Sequence, residues 1–289
     1  MREIDEKIIE VTIQFNDGTV SAPKYGDKVT LSGLRIKMSV LGGTIGNQGQ
    51  MTCMIQGLTK EMMTRLTSTG FIRQENKLHK IMVAAGNRKD ALTTIFEGNI
   101  DSAFANINQP VSEFQITSFS AMNAQLTPVG ASSYRDSVSV SQIMADFAKE
   151  ASLKFVDKGV KKQLSNPYFS GDTYSKIKKC ANAAHIAYNT DMGTLTIWEM
   201  GKEKKGNLTV STEPGNIPQL IGVPKYTGGG VTIRTLFCPD FVFNEKFELK
   251  SKDLDLLNGE WQPLSIVHDL ECFMPNGAWY TTVEANRGL

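Results

Sequence analysis

The stretch Ile9-Glu10-Val11-Thr12-Ile13-Gln14-Phe15 places an apolar residue at every second position. A strand turns successive side chains to opposite faces, so this pattern specifies a strand with one buried face. The alternation returns at Leu34, Ile36, Met38 and Val40, then at Met51, Cys53 and Ile55. Lys80–Ala85, Leu92–Asn99 and Glu113–Ser118 read as further strands, and Lys60–Leu66 as a short helix. Late in the chain, Val231, Ile233 and Thr235 alternate, as do Phe241 and Phe243, and Phe247 and Leu249. Trp261–Glu271 and Ala278–Ala285 are the last two strands. Asn16-Asp17-Gly18 and Pro275-Asn276-Gly277 supply tight turns. Many short strands at close spacing predict a mainly β protein of α+β class, a barrel or a sandwich.

The middle of the chain changes period. Ser139 stands three residues before Gln142, a helix-capping spacing, and Ile143, Met144, Phe147, Ala148 and Ala151 share one helical face. Asp172 caps a second expected helix with Ile177, Cys180, Ala181 and Ala184 inward. HIAYN and TLTIWEM then form a hairpin around Thr190–Gly193. The order helix, loop, helix, hairpin is a small α/β insert. Residues 202–216, polar with Gly and Pro, read as a linker or exposed loop.

Chemistry is scarce. The glycine run GGTIGNQG at 42–49 lacks the Gly-Lys-Ser/Thr ending of a phosphate loop and reads as a flexible connection between strands, as does Gly228-Gly229-Gly230. His268, Glu271 and Cys272 are the one tight cluster of metal-ligand types. On a strand His268 and Cys272 share a face at about 13 Å, too far for one ion. Asp269 faces away from its neighbour His268, which removes the simplest catalytic dyad. No carboxylate stands in a recognisably apolar setting of the kind a glycosidase acid requires. Lysine runs at 159–163 and 202–205 carry no interleaved aromatics and read as solvated faces. Trp198, Trp261 and Trp279 each sit in or beside a strand and read as half-buried core, with protein–protein contact as the second reading.

The formal net charge of the 289 residues is only +1, which gives no bulk attraction to DNA or acidic membranes. Four dispersed cysteines, Cys53, Cys180, Cys238 and Cys272, fit free buried thiols in a reducing cytosol. No signal peptide and no apolar run of membrane-spanning length is visible, so a soluble chain without stable membrane insertion is expected. No cofactor or metal is expected.

The last 75 residues resemble baseplate hub proteins of contractile-tailed bacteriophages, the tail hub or late-control family, related to the base of type VI secretion spikes. That family's "leu-x-gly-x-pro" strand matches Leu220, Gly222 and Pro224. Its next strand end matches Leu236, Cys238 and Pro239, with Cys238 where Asn is usual. Phe247 and Leu249 follow, then Asn258, Gly259 and Trp261, then Val267 and His268, and last Trp279, Thr281, Val283 and Ala285. The helix–loop–helix–hairpin of the middle is similar too.

The resemblance implies two tube-type β-barrel domains with a small α/β insertion. Residues 1–121 are then an N-terminal barrel-like tube domain, 122–205 the insert, and 206–289 strands completing the second barrel. It implies a non-enzymatic virion protein of the tail baseplate, synthesised in the host cytoplasm. Three copies would form a pseudo-hexameric ring between the hexameric tail tube and the trimeric central spike. Baseplate wedge proteins would surround it, and its lumen would pass the tape measure protein and, transiently and non-specifically, DNA. On this reading Trp198, Trp261, His268 and Trp279 are interface or packing anchors. Two other readings stay open: a tail-associated peptidoglycan hydrolase, and a generic binding module.

Overall fold

A computed structural model describes residues 6–15, 27–43, 46–67, 78–89, 91–106, 112–213, 215 and 218–287. The expected turn at Asn16-Asp17-Gly18 lies outside them.

The N-terminal third is strand-rich, as its alternation requires. It runs β1 (Lys7–Gln14), β2 (Lys28–Leu31), β3 (Arg35–Leu41), β4 (Gln50–Gln56), α1 (Lys60–Leu66), β5 (Lys80–Asn87), β6 (Thr93–Asn106) and β7 (Glu113–Phe119). Ile9, Val11 and Ile13 of β1 are fully buried, as are Met51 and Cys53 of β4. α1 starts where Thr59 accepts the Met62 N–H, a side-chain cap for an otherwise unpaired donor. β6 extends seven residues past its expected end, carried by pairing with β7 across a bulge near Asp101.

The insert contains α2 (Met122–Leu126), β8 (Ser132–Ser133), β9 (Ser137–Ser139), α3 (Val140–Glu150), β10 (Lys154–Asp157), β11 (Gln163–Ser165), β12 (Tyr168–Phe169), α4 (Thr173–Ala184), β13 (Ile186–Asn189) and β14 (Thr194–Glu199). Ser139 caps α3 by accepting the Gln142 N–H, and Asp172 caps α4 by accepting that of Ser175. The inward faces of α3 and α4 are the ones their periodicity specifies.

The C-terminal part holds β15 (Lys204–Ser211), β16 (Lys225–Thr227), β17 (Gly230–Leu236), β18 (Glu245–Lys250), β19 (Gly259–Glu271) and β20 (Trp279–Asn286). Two expectations are corrected here. Residues 204–211 are a strand, not a loop: β15 pairs parallel to β18, with Val210 buried and the lysines outward. Phe241 and Phe243 are not in a strand. The chain turns at Pro239-Asp240 and drops both rings into the core, Phe241 meeting Phe247 edge-on at 5.4 Å.

The main ladder runs β16-β17-β20-β19-β3-β4-β7-β6-β5-β1-β2, with β18 and then β15 branching from β19. The expected mainly β class holds. Barrel closure does not appear, since no pairing joins β16 to β2 among the described residues. β19 is the hinge of the architecture: its first half pairs β18 and its second half pairs β3, so it ties the C-terminal strands to the N-terminal ones. Three hydrophobic clusters result, one under β1–β7, one among the insert helices, and one around Phe247 and Trp261. The β13–β14 hairpin serves two of them. Ile186, Tyr188, Leu195 and Ile197 face the helices, while Ala187 and Trp198 face the C-terminal cluster.

Candidate functional site

The insert meets the main sheet at the tip of the β13–β14 hairpin. There Asp191 reaches into the β3–β4 loop, the glycine run read from sequence as a flexible connection. Asp191 Oδ2 accepts the Gly43 N–H at 2.8 Å and the Asn189 side-chain N–H at 3.1 Å. The Ser120 hydroxyl also serves its carboxylate, and the Gly49 N–H donates to Ser120 Oγ at 2.9 Å. Asn189 donates to the Gly43 carbonyl, and the Tyr188 hydroxyl donates to the Gly46 carbonyl at 3.2 Å. The loop does join two strands, but its described residues are clasped on several sides.

The glycines follow from that clasp. A Cβ on Gly49 would stand 2.6 Å from Asp191 Oδ1, and one on Gly43 would stand 2.7 Å from the Asn47 carbonyl. Neither position admits a side chain without movement.

Asp191 keeps some exposure as a residue, yet its carboxyl group is enclosed. Burial pushes its pKa up, against the hydrogen bonds from Asn189, Gly43 and Ser120 that favour the ionised form. No sequence signal marked it, because Thr190–Gly193 reads as an ordinary turn. The enclosing groups come from Gly43 and Ser120, far away in the chain.

Beside the clasp lies a cavity of about 380 Å³. Its walls come from the insert hairpin, the start of β6, the 239–244 loop and the middle of β19. Asp191 is the one carboxylate among its described lining residues. The two-carboxylate route of glycosidic cleavage takes a pair flanking the bond, and the described lining of this cavity supplies one.

The sequence-selected residues fall around this seam and the last hairpin. Trp198 lines the cavity and is 3% exposed, with an indole N–H that has no partner among the described residues. His268 also lines it, with Nδ1 2.9 Å from Thr281 Oγ1 and the Phe237 ring edge-on at 5.4 Å. Burial holds its imidazole down at about 4, so the ring is neutral at ordinary pH. Trp261 is 3% exposed and donates its indole N–H to the Leu257 carbonyl at 2.8 Å. Trp279 is 8% exposed and packs on Phe237 at 5.3 Å, with the Lys7 ammonium over its ring. The three Trp are thus fully rather than half buried within the chain.

Asp269 points away from His268, as expected, and accepts from Ser39 Oγ at 2.8 Å. All four cysteines are free and buried, as expected. Burial raises the thiol of Cys180 to about 12 and that of Cys238 to about 11, so neither is a thiolate nucleophile at neutral pH. No cluster of three metal-ligand side chains occurs among the described residues, and no described helix is long and apolar enough to cross a membrane.

The profile of one family, described as "Baseplate hub gp41", matches residues 8–282. No curated protein matches the chain. Among solved structures, the 43 kDa tail protein of prophage MuSo2 from Shewanella oneidensis superposes with a TM-score of 0.64 at 10% identity, over 96% of this chain and 98% of that one. The tail protein from Neisseria meningitidis MC58 superposes with a TM-score of 0.66 at 7% identity, over 96% of each chain. An E. coli protein, described as a type VI secretion component structurally similar to T4 bacteriophage tail proteins gp27 and gp5, gives 0.60 at 8% identity, over 95% of this chain and 76% of that one. At such identities these likenesses speak to fold alone.

Proposed function

Because the chain belongs to the baseplate hub gp41 family, we propose that it is the structural centre of a contractile tail's baseplate. Three copies close into a ring whose pseudo-sixfold face meets the hexameric tail tube. The trimeric central spike docks on the opposite face and wedge proteins pack outside. The lumen passes the tape measure and then DNA, without sequence-specific contact. The chain is made in the host cytoplasm and reaches the virion by assembly.

The observation that carries this reading is the family match across residues 8–282. The ladder supports it physically. Among the described residues it ends in two short unlike edges, β2 and β16. Unpaired edges invite pairing or cover by a neighbour, and contacts between unlike patches close into rings when the rotation allows. The near-neutral charge suits a conduit to which DNA does not adhere. No catalytic step belongs to this role.

Sedimentation and negative-stain imaging test the reading, on the purified chain alone and with candidate spike and tube proteins. A ring of three 31.8 kDa chains is expected. A chain that stays monomeric even with both partners present rejects the hub. Turnover of purified cell wall by the chain alone would reject the non-catalytic role.

A further inference from the structure

His268 is held through one ring nitrogen. Nδ1 lies 2.9 Å from Thr281 Oγ1, which accepts the Cys238 N–H at 3.0 Å and lies 3.3 Å from the Cys238 carbonyl. The Thr281 proton can go to Nδ1 or to that carbonyl. Neutral His268 therefore presents Nε2 as a donor in one tautomer and as an acceptor in the other. In both, Nε2 makes no hydrogen bond among the described residues, although the residue is only 7% exposed and lines the 380 Å³ cavity. The Trp198 indole N–H in the same wall is unpaired and sealed from solvent; Nε2 is unpaired but not sealed, so it opens on the cavity.

The cavity's chemistry narrows the occupant. No lysine or arginine is among its described lining residues, so an anion finds no side-chain partner. Its one carboxylate, Asp191, is already served by the Gly43 N–H, Asn189 and Ser120, so a cation gains little there. Burying a charge without a partner is costly, which selects a neutral ligand.

Three more lining side chains, Thr94, Thr196 and Asn244, make no side-chain hydrogen bond among the described residues. With His268 Nε2 they give four neutral groups, and all but Nε2 can both donate and accept. A ligand with a single polar group would leave three of them stripped of water and unpaired. Several hydroxyls meet all four, and a hydroxyl serves either tautomer of His268. The opposite wall is apolar, with the rings of Trp198, Phe241 and Phe243. The mouth lies at the seam of the insert and the C-terminal strands, between exposed Met192 and Val242, and seams of this kind are where ligand pockets concentrate.

We propose that the cavity binds one neutral sugar ring, a hexose or N-acetylhexosamine. Its hydroxyls engage His268 Nε2, Asn244 and the two threonines, and its C–H face lies on the aromatic wall. The site does not depend on the hub reading; it adds a glycan contact to whatever assembly the chain builds.

Titration of the full chain tests it, with glucose, galactose, mannose, N-acetylglucosamine and N-acetylgalactosamine, each to about 100 mM. Binding is followed through the imidazole ¹⁵N shifts of His268, identified by their loss in His268→Gln. At least one sugar should bind saturably and move them. Glucuronate, which brings a charge, should bind at least about tenfold more weakly than that sugar. No saturable His268 shift with any of the five overturns the site. Toluene or p-cresol binding there more tightly than every sugar overturns the hydroxyl chemistry and with it the proposal.

Two variants locate the binding. Thr94→Trp fills the cavity from an exposed wall position and should weaken it at least about tenfold while melting normally. Asn244→Ala removes a side chain that bonds nothing else among the described residues and should weaken it several-fold. Where Thr94→Trp does not fold, Asn244→Ala decides. Sugar binding that these variants leave unchanged lies elsewhere and overturns the site. The hub reading fails on a different result, the absence of any ring with spike and tube present.

Discussion

The backbone N–H of Gly43 lies 2.8 Å from Asp191 Oδ2, across 148 residues of chain. One carboxylate thereby holds the insert to the β3–β4 loop. Gly49→Ala should destabilise the protein by about 2–3 kcal/mol, because its Cβ would meet Asp191 Oδ1 at 2.6 Å. Asp191→Ala leaves the Gly43 N–H and the Asn189 amide without this acceptor and should cost about 2–4 kcal/mol. Urea unfolding checks both. The two losses should not add, since both act on one contact.

His268 predicts a pH dependence with a definite sign. Its folded pKa, about 4, lies below the ordinary 6.5. The folded state then binds fewer protons than the unfolded state between those values. Stability is fully present above pH 6.5 and falls as pH drops toward 4, by about 3 kcal/mol. Asp191, with a raised pKa, contributes the opposite slope above its ordinary value. The difference between wild type and His268→Gln isolates the imidazole. Urea melts at pH 7, 6, 5 and 4 should converge toward acid, and parallel curves would refute the assignment.

Lys176 is a buried ammonium, its side chain 1% exposed, bonded to Glu150 Oε1 at 2.9 Å and to Ser132 Oγ at 3.1 Å. Glu150→Ala strips that charge of its partner and should cost about 3–5 kcal/mol. Lys176→Met leaves a carboxylate that still reaches solvent and should cost less. The double variant Lys176→Met, Glu150→Ala should be more stable than Glu150→Ala alone. Chemical denaturation of the three variants checks the order.

Local order in this chain is written locally. The spacing of Ser139 and Gln142, and of Asp172 and Ile177, was enough to place α3 and α4, because capping and helical periodicity act within a few residues. The alternation of Ile9, Val11 and Ile13 sufficed for β1 for the same reason. β15 escaped because its stabilisation is a parallel partner, Glu245–Lys250, about 40 residues on, while its own sequence is mostly polar. Phe241 and Phe243 misled because alternation also arises when a loop drops two rings into one cluster. The Asp191 clasp and the His268 cavity escaped for a similar reason. Their parts come from the β3–β4 loop, the insert hairpin and β19, and no local pattern joins them.

Trp261 and Trp279 separate packing from assembly. Trp261 is closed over by its own chain, its N–H on the Leu257 carbonyl and the Arg287 guanidinium 5.0 Å from its ring. Trp279 is covered by Phe237 and Lys7. Groups already desolvated in the free chain gain little further burial on association, so their energy belongs to folding. Trp261→Phe should cost about 1–2 kcal/mol by orphaning the Leu257 carbonyl. Trp261→Ala and Trp279→Ala should each cost about 3–5 kcal/mol. Folded material of either variant should still assemble with wild-type affinity in sedimentation. An interface anchor would give the reverse, with normal melting and weakened association.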